Sequence, residues 1–280
     1  MIIDSHTHIF PSFFRNERKL FFPEEPAFED LYCVPEARLA GRKELLSNMD
    51  KEGVNKSIIF GFPWKRPDHF HRHNDYIIES VQLHPDRLIG LCCFDILSRE
   101  APKEAERCLA SGLSGVGELA VYDSGFSPDI IAALNDIMDV CSQHDVPILI
   151  HTNEPLGYQY PGKQPMTLGQ LYDLIKRYPS NRIVLAHWGG GIFFYALMKR
   201  EVRDVLSNVW FDTAASPYLY SPEIYSVASL IIGPEKILFG SDYPLIKPGR
   251  YIEEMEAAGL SSQSLKKICG ENAEFLLSQS

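Results

Sequence analysis

The 280-residue sequence predicts an α/β fold, a (β/α)8 barrel forming one domain over 1–280, with a long loop after its first strand. Three observations carry this. Eight short β-rich runs alternate with amphipathic, helix-like stretches over about 250 residues, the count of such a barrel. Most of the runs are continuously apolar, such as Ser57-Ile58-Ile59-Phe60, Ile148-Leu149-Ile150 and Ile183-Val184-Leu185-Ala186. Continuous runs suit parallel strands covered on both faces. Several of the runs also end in a histidine or an acid. An open doubly wound sheet is the alternative, but it would carry a glycine-rich phosphate loop after its first strand. This chain has Asp4-Ser5-His6-Thr7-His8 there.

The first strand is expected over 2–6. If it runs on to His8, alternation puts Asp4, His6 and His8 on one side, where the two imidazoles can reach one ion. The connection from Ile9 to Val34 is long and rich in aromatics: Phe10, Phe13, Phe14, Phe21, Phe22 and Phe28. Connections of this length in a compact domain tend to be functional, and so many rings argue for packing over something. A lid over the barrel mouth is expected. The remaining strands are expected over 55–60, 88–94, 115–119, 147–151, 182–187, 209–213 and 236–241. Helices are expected over 35–52, 68–84, 101–111, 128–144, 167–178, 192–206, 222–232 and 261–277. Ser127-Pro128-Asp129 and Ser221-Pro222-Glu223 each place a serine cap, a proline at the first position and an acid in the first turn. Gly53 follows the first helix, where a left-handed cap is favoured.

A chain that is 45% hydrophobic can bury a large core. The net charge is −10, and the 27 Lys and Arg are scattered rather than clustered, which argues against nucleic acid or an anionic membrane as partner. No apolar run approaches the roughly 18 residues of a membrane span, and no signal peptide is visible. The six cysteines form no Cys-x-x-Cys pair and mostly sit in apolar runs, so a reduced, cytoplasmic protein is expected. Barrels of this kind are often dimers. A homodimer is therefore an expectation, though no surface stripe demands it.

Active sites of such barrels form at the C-terminal ends of the strands. Here those ends carry His6 and His8 (first strand), Glu118 (fourth), His151 (fifth), His187 (sixth) and Asp242 (eighth). A lone histidine at a strand end is usually hydrogen-bonded and inert. Six ligand-type groups on five separate strands are hard to place by accident, and together they predict a metal site. Mixed imidazole and carboxylate donors suit Zn2+ first, and also accommodate Mn2+, Fe2+ or Ni2+. Asp4, one pleat below, reads as a supporting acid. Trp188, Tyr158 and Lys163 are expected to contact a small-molecule substrate, with Phe62, Trp64 and Tyr218 nearby. His69, His71 and His73 open a helical stretch where i and i+2 do not share a face, so they read as surface or lid.

Asp-Ser-His-Thr-His, Ile-His-Thr, Ala-His-Trp-Gly-Gly and Gly-Ser-Asp-Tyr-Pro resemble the metal-site motifs of the amidohydrolase superfamily. The nearest branch is the amidohydrolase-related group, amidohydrolase 2, which includes hydrolases and non-oxidative decarboxylases. Cys269-Gly270-Glu271-Asn272-Ala273-Glu274-Phe275-Leu276 is similar to its closing helix. The resemblance implies His6, His8 and Asp242 as metal ligands, with His151 a ligand or beside the metal. It implies that His187 binds a second metal or orients the attacking water. Decarboxylase members generally lack an acid at the fourth strand end, whereas Glu118 looks like the glutamate that bridges two metals in TatD-type hydrolases. The leading expectation is thus a metal-dependent hydrolase of an amide, ester or lactone bond. In it Asp242 would take the proton of the attacking water and return it to the leaving group. The alternative is a metal-dependent decarboxylase, a lyase, of a small aromatic or unsaturated carboxylic acid. A barrel that binds without catalysing is a third reading.

Overall fold

A computed structural model describes residues 1–278. Its strands are β1 (Ile3–His8), β2 (Lys56–Phe60), β3 (Leu88–Gly90), β4 (Val116–Leu119), β5 (Ile148–Ile150), β6 (Ile183–Leu185), β7 (Val209–Asp212) and β8 (Ile237–Leu238). All neighbouring pairs are parallel, in the orders β1-β2-β3 and β4-β5-β6-β7-β8. Single bridges close the circle. Cys92 pairs with Val116 between β3 and β4, and Thr7 pairs with Tyr243 between β8 and β1. At the second seam Ser5 N donates to Phe239 O at 2.7 Å, and Asp242 N donates to His6 O at 3.0 Å. The fold is a (β/α)8 barrel.

The continuous apolar runs explain the two layers of core. Inside the barrel, Ile3, Ile58, Phe60, Leu91, Leu149, Val184 and Leu238 fill the interior, and Ala273 and Leu276 of the helix Asn272–Ser278 plug its lower end. Outside, side chains of opposite alternation pack against the helices, for example Ile59, Val116, Ile148, Ile150, Leu185 and Phe211. A strand residue therefore meets apolar atoms on either side, which is why these runs do not alternate.

All eight expected strands are present, with shorter or shifted ends. The region 35–52 becomes helical only at Arg42, after Gly41 caps it in extended conformation and Glu44 reaches back to Gly41 N. The single helix expected over 192–206 does not form. His187–Leu197 is a chain of tight turns, and only Arg200–Val205 is α-helical. The break inside the expected span lies at Met198, whose φ of −80° and ψ of −132° are not helical, while the left-handed Gly189, Gly190 and Gly191 stand just ahead of the span. The helix Pro248–Ala257 was not anticipated. The stretch 261–277 is helical but passes through a wider π-type turn at Lys267–Glu271.

The long first connection folds as short helical pieces, including Ser12–Asn16 and Pro26–Tyr32. Phe10, Phe14 and Phe28 are fully buried in it. Phe14 stacks on Trp64 at 4.2 Å between ring centroids, and Phe28 lies 4.5 Å from the same indole. Two buried polar anchors hold it down. Glu25 accepts from Lys65 N, Arg66 N and His69 Nδ1 at 2.9, 3.0 and 2.7 Å. His73 accepts from Trp64 Nε1 and donates to Ile9 O. His69 and His73, one turn apart on the helix Pro67–Leu83, thus pin this segment rather than bind metal.

Candidate active site

The C-terminal ends of the strands open into a cavity of about 430 Å³. His8, Glu118, His151, His187 and Asp242 form its floor, and His6 is buried just behind. His6 Nε2 lies 3.3 Å from His8 Nε2. Both are 3.6 Å from Glu118 Oε2, and they are 3.6 and 3.5 Å from Asp242 Oδ1. Metal–donor bonds of 2.0–2.1 Å place neighbouring donors roughly 3.0–3.4 Å apart in octahedral or tetrahedral geometry. The two imidazole nitrogens fall in this range, and Glu118 Oε2 and Asp242 Oδ1 each stand about 0.1–0.2 Å outside it, so each oxygen forms with the imidazole pair a set that could close on a cation. The other oxygen, Glu118 Oε1, faces a different pair, 2.8 Å from His151 Nδ1 and 3.6 Å from His187 Nε2. Glu118 therefore stands between two donor sets.

Three of the site histidines are aimed by a bond at Nδ1 on the far side, whereas His151 turns Nδ1 toward Glu118 and bonds Gly162 O through Nε2 at 3.1 Å. His6 Nδ1 is 2.8 Å from Asp212 Oδ2, His8 Nδ1 is 3.2 Å from Gly61 O, and His187 Nδ1 is 3.0 Å from Ala214 O. Acceptors at Nδ1 leave the Nε2 lone pairs facing the centre. Gly240 has a packing role here, because a Cβ on it would come within 2.7 Å of His6 Cβ. His187 and Asp242 hold φ of 53° and 59°, the left-handed region that costs a non-glycine residue energy. Asp4 lies below the cluster, buried, where it accepts from Ser241 N at 2.8 Å and from Ser241 Oγ.

The electrostatics fit a cation. Burial would raise Asp242, but its hydrogen bond to His8 and the nearby imidazoles hold it at about 2. Glu118 is likewise held well below the usual carboxylate range against its burial, by His6 and His151. Burial would lower His187, yet Glu118 and Asp242 push it up to about 9. His6 is raised in the same way, by Glu118 and Asp212. Ionised acids that draw protons onto imidazoles will exchange those protons for a divalent ion.

The walls are aromatic and come largely from outside the motifs. Tyr32 and Phe62 flank one side and Tyr122 another, with the Phe62 and Tyr122 rings nearly parallel at 6.1 Å. Leu31, Tyr32 and Arg38 belong to the first connection, which roofs part of the mouth. Burial and the carboxylates of Asp242 and Glu118 raise the Tyr32 phenol, so it stays protonated. Arg38 is exposed at the rim and has no ion-pair partner among the described residues.

Three expected substrate contacts lie elsewhere. The Trp188 indole is fully buried against Phe193 and Tyr225, and its Nε1 donates to Ser216 Oγ at 2.6 Å. The left-handed turn after His187 swings it away from the cavity. Tyr158 is 81% exposed at a loop tip. The Lys163 ammonium is used up inside its own loop, on Glu154 Oε1 at 2.9 Å, Leu156 O at 2.7 Å and Tyr158 O at 3.2 Å. Trp64 is buried under the roof, whereas Phe62 and Tyr218 do line the cavity. Sequence reasoning missed Asp212, although the same criterion, an acid ending an apolar run (Val209-Trp210-Phe211-Asp212), selects it. Tyr32, Arg38 and Tyr122 carried no comparable signal.

The chain belongs to the amidohydrolase family, whose family model matches residues 3–278. Among curated proteins it is similar to the γ-resorcylate decarboxylase of Polaromonas sp. (strain JS666 / ATCC BAA-500), at 25% identity over 249 residues, covering 73% of this chain and 74% of that one. Among solved structures it is similar to the 5-carboxyvanillate decarboxylase of Sphingomonas paucimobilis, with a TM-score of 0.76 and 16% identity, covering 99% and 98% of the two chains. It also resembles a dihydroxybenzoic acid decarboxylase from Polaromonas sp. JS666 solved with manganese and 2-nitroresorcinol. There the TM-score is 0.74 with 19% identity, covering 99% and 96%.

Proposed function

We propose that this protein is a divalent-metal-dependent decarboxylase of a small aromatic carboxylic acid. The observation that carries the reading is the cavity. A floor of imidazoles and carboxylates spaced for a cation lies beneath aromatic walls, in a volume suited to a single-ring acid. The decarboxylase relatives support it and move the weight away from hydrolysis, the leading expectation from sequence.

His6, His8, Glu118 and Asp242 would hold the ion, with His151 and His187 completing the set or holding a second one. Manganese in the relative makes Mn2+ the first choice, with Zn2+ the other. When bound, the ion supplies a Lewis acid that holds and neutralises the substrate's oxygens. The chain's own part is orientation and one proton. Decarboxylation replaces C–COO⁻ by C–H, so the electron pair of the breaking bond stays on the ring carbon, which takes up a proton as CO2 leaves. His187 Nε2 and the Asp242 carboxyl face the cavity and are the groups to carry that proton. Tyr32, Phe62 and Tyr122 hold the ring, and Arg38 meets a carboxylate at the rim.

The test is CO2 release from a panel of hydroxybenzoates by the manganese- and zinc-loaded protein, run beside hydrolysis of esters and lactones. CO2 release that stops on chelation is expected. Hydrolysis without CO2 release would refute the reading. It would favour a metal-dependent hydrolase, the reading that Glu118 supports through its place between two donor sets.

A further inference from the structure

Asp212 ends β7 and is fully buried, yet no lysine or arginine pairs with it among the described residues. A buried carboxylate without a cation is costly and needs a compensating set of donors. Its donors are unusual in where they come from. Oδ2 takes His6 Nδ1 at 2.8 Å. Oδ1 takes His187 N at 2.8 Å and Ala214 N at 3.0 Å. Ala214 in turn accepts from His187 Nδ1 through its carbonyl, at 3.0 Å. One carboxylate thus grips β1 through a side chain and the end of β6 through a backbone amide. By fixing Ala214 it also sets the acceptor that aims the His187 ring.

We propose that Asp212 is the positioning residue that fixes the tautomer and direction of two site imidazoles, His6 and His187, for the metal. The inference rests on the metal reading above. The physical case has three parts. Each imidazole gives up a proton when the ion binds, and loss of the wrong one aims an N–H at the ion instead of a lone pair. Acceptors at both Nδ1 positions remove that choice, and a charged acceptor also makes the opposite nitrogen a better donor. The left-handed backbone at His187, φ 53°, needs a specific restraint, and the bond from its N–H to Asp212 supplies one. Asp212 is not among the cavity walls, so it acts through the histidines and touches no substrate. His8 is aimed separately, by Gly61 O, and serves as the internal control.

The experiment measures Mn2+ and Zn2+ affinity by competition with a chromophoric chelator, for the wild type, Asp212→Asn and Asp212→Glu. Alongside, imidazole N–H resonances are recorded in the metal-free proteins. Loss of such a second-layer carboxylate typically costs about 10- to 100-fold in metal affinity. That loss is expected for Asp212→Asn, with disappearance of the His6 and His187 Nδ1–H signals, and Asp212→Glu is expected to recover part of it. A lowered melting temperature with unchanged affinity and unchanged signals would show a merely structural acid and overturn the proposal. Absence of two slowly exchanging Nδ1–H signals in the wild type would overturn it without any variant. A wild type that binds neither ion would refute the metal reading; the resonances alone would then decide the tautomer assignment for or against Asp212.

Discussion

Replacing Glu25 by alanine tests whether the aromatic segment over the barrel mouth is held by a few buried polar bonds. Glu25 is 2% exposed and accepts three hydrogen bonds, from Lys65 N, Arg66 N and His69 Nδ1. Leaving a buried donor unsatisfied costs roughly 1–3 kcal/mol, and breaking a buried charged contact about 3–5 kcal/mol. The Lys65 and Arg66 side chains lie in solvent, so water would recover part of the two backbone donors. The imidazole of His69 is buried and would not be so rescued. A loss of about 2–4 kcal/mol follows, or roughly 3–7 °C in melting temperature at this chain size. Thermal and urea unfolding of the metal-free protein would read it. Glu25→Gln, which keeps one acceptor oxygen, should lose less. Tyr32 and Arg38 sit on the same segment, so KM should rise while bound metal stays constant. A melting temperature within 2 °C of wild type for Glu25→Ala would refute the reasoning.

Two further outcomes are expected. Burial pushes the His73 imidazole down to about 3, below its unfolded value of 6.5, outweighing its bond to Ile9 O. Its contribution is present above pH 6.5 and is lost as pH falls from 6.5 toward 3, by about 1.4 kcal/mol per unit. Acid unfolding curves should show this limb, and His73→Gln, which can still bond Trp64 and Ile9, should flatten it. An unchanged slope would remove His73 as its source. Glu118→Ala removes the one carboxylate that faces both donor sets, and should at least halve the manganese retained after dialysis, measured by elemental analysis. Full retention would take Glu118 out of the proposed ligand set.

The barrel was legible in the sequence because parallel strands buried on both faces leave a local trace, the continuous apolar run, and helices between them leave caps and turn prolines. The floor of the site was legible for a related reason. In a barrel the strand ends converge, so His6, His8, Glu118, His151, His187 and Asp242 needed only their place in the order of strands to be brought together. What could not be read was anything set by side-chain direction after a strand ends. Trp188 adjoins His187 in sequence, but a run of left-handed residues turns it into the core. Lys163 carries a charge suited to a substrate, but Glu154 and two carbonyls of its own loop consume it. The walls come from Tyr32, Arg38 and Tyr122, whose places depend on how the first connection folds back onto Trp64 and His73. Asp212 shows the boundary most clearly. Its position at a strand end was written in the sequence, whereas its grip on His6, more than 200 residues away, exists only because β7 and β1 both end at the same floor. Periodicity and strand order are local properties of the chain, but hydrogen-bond partners across the barrel are decided by the closure of the sheet.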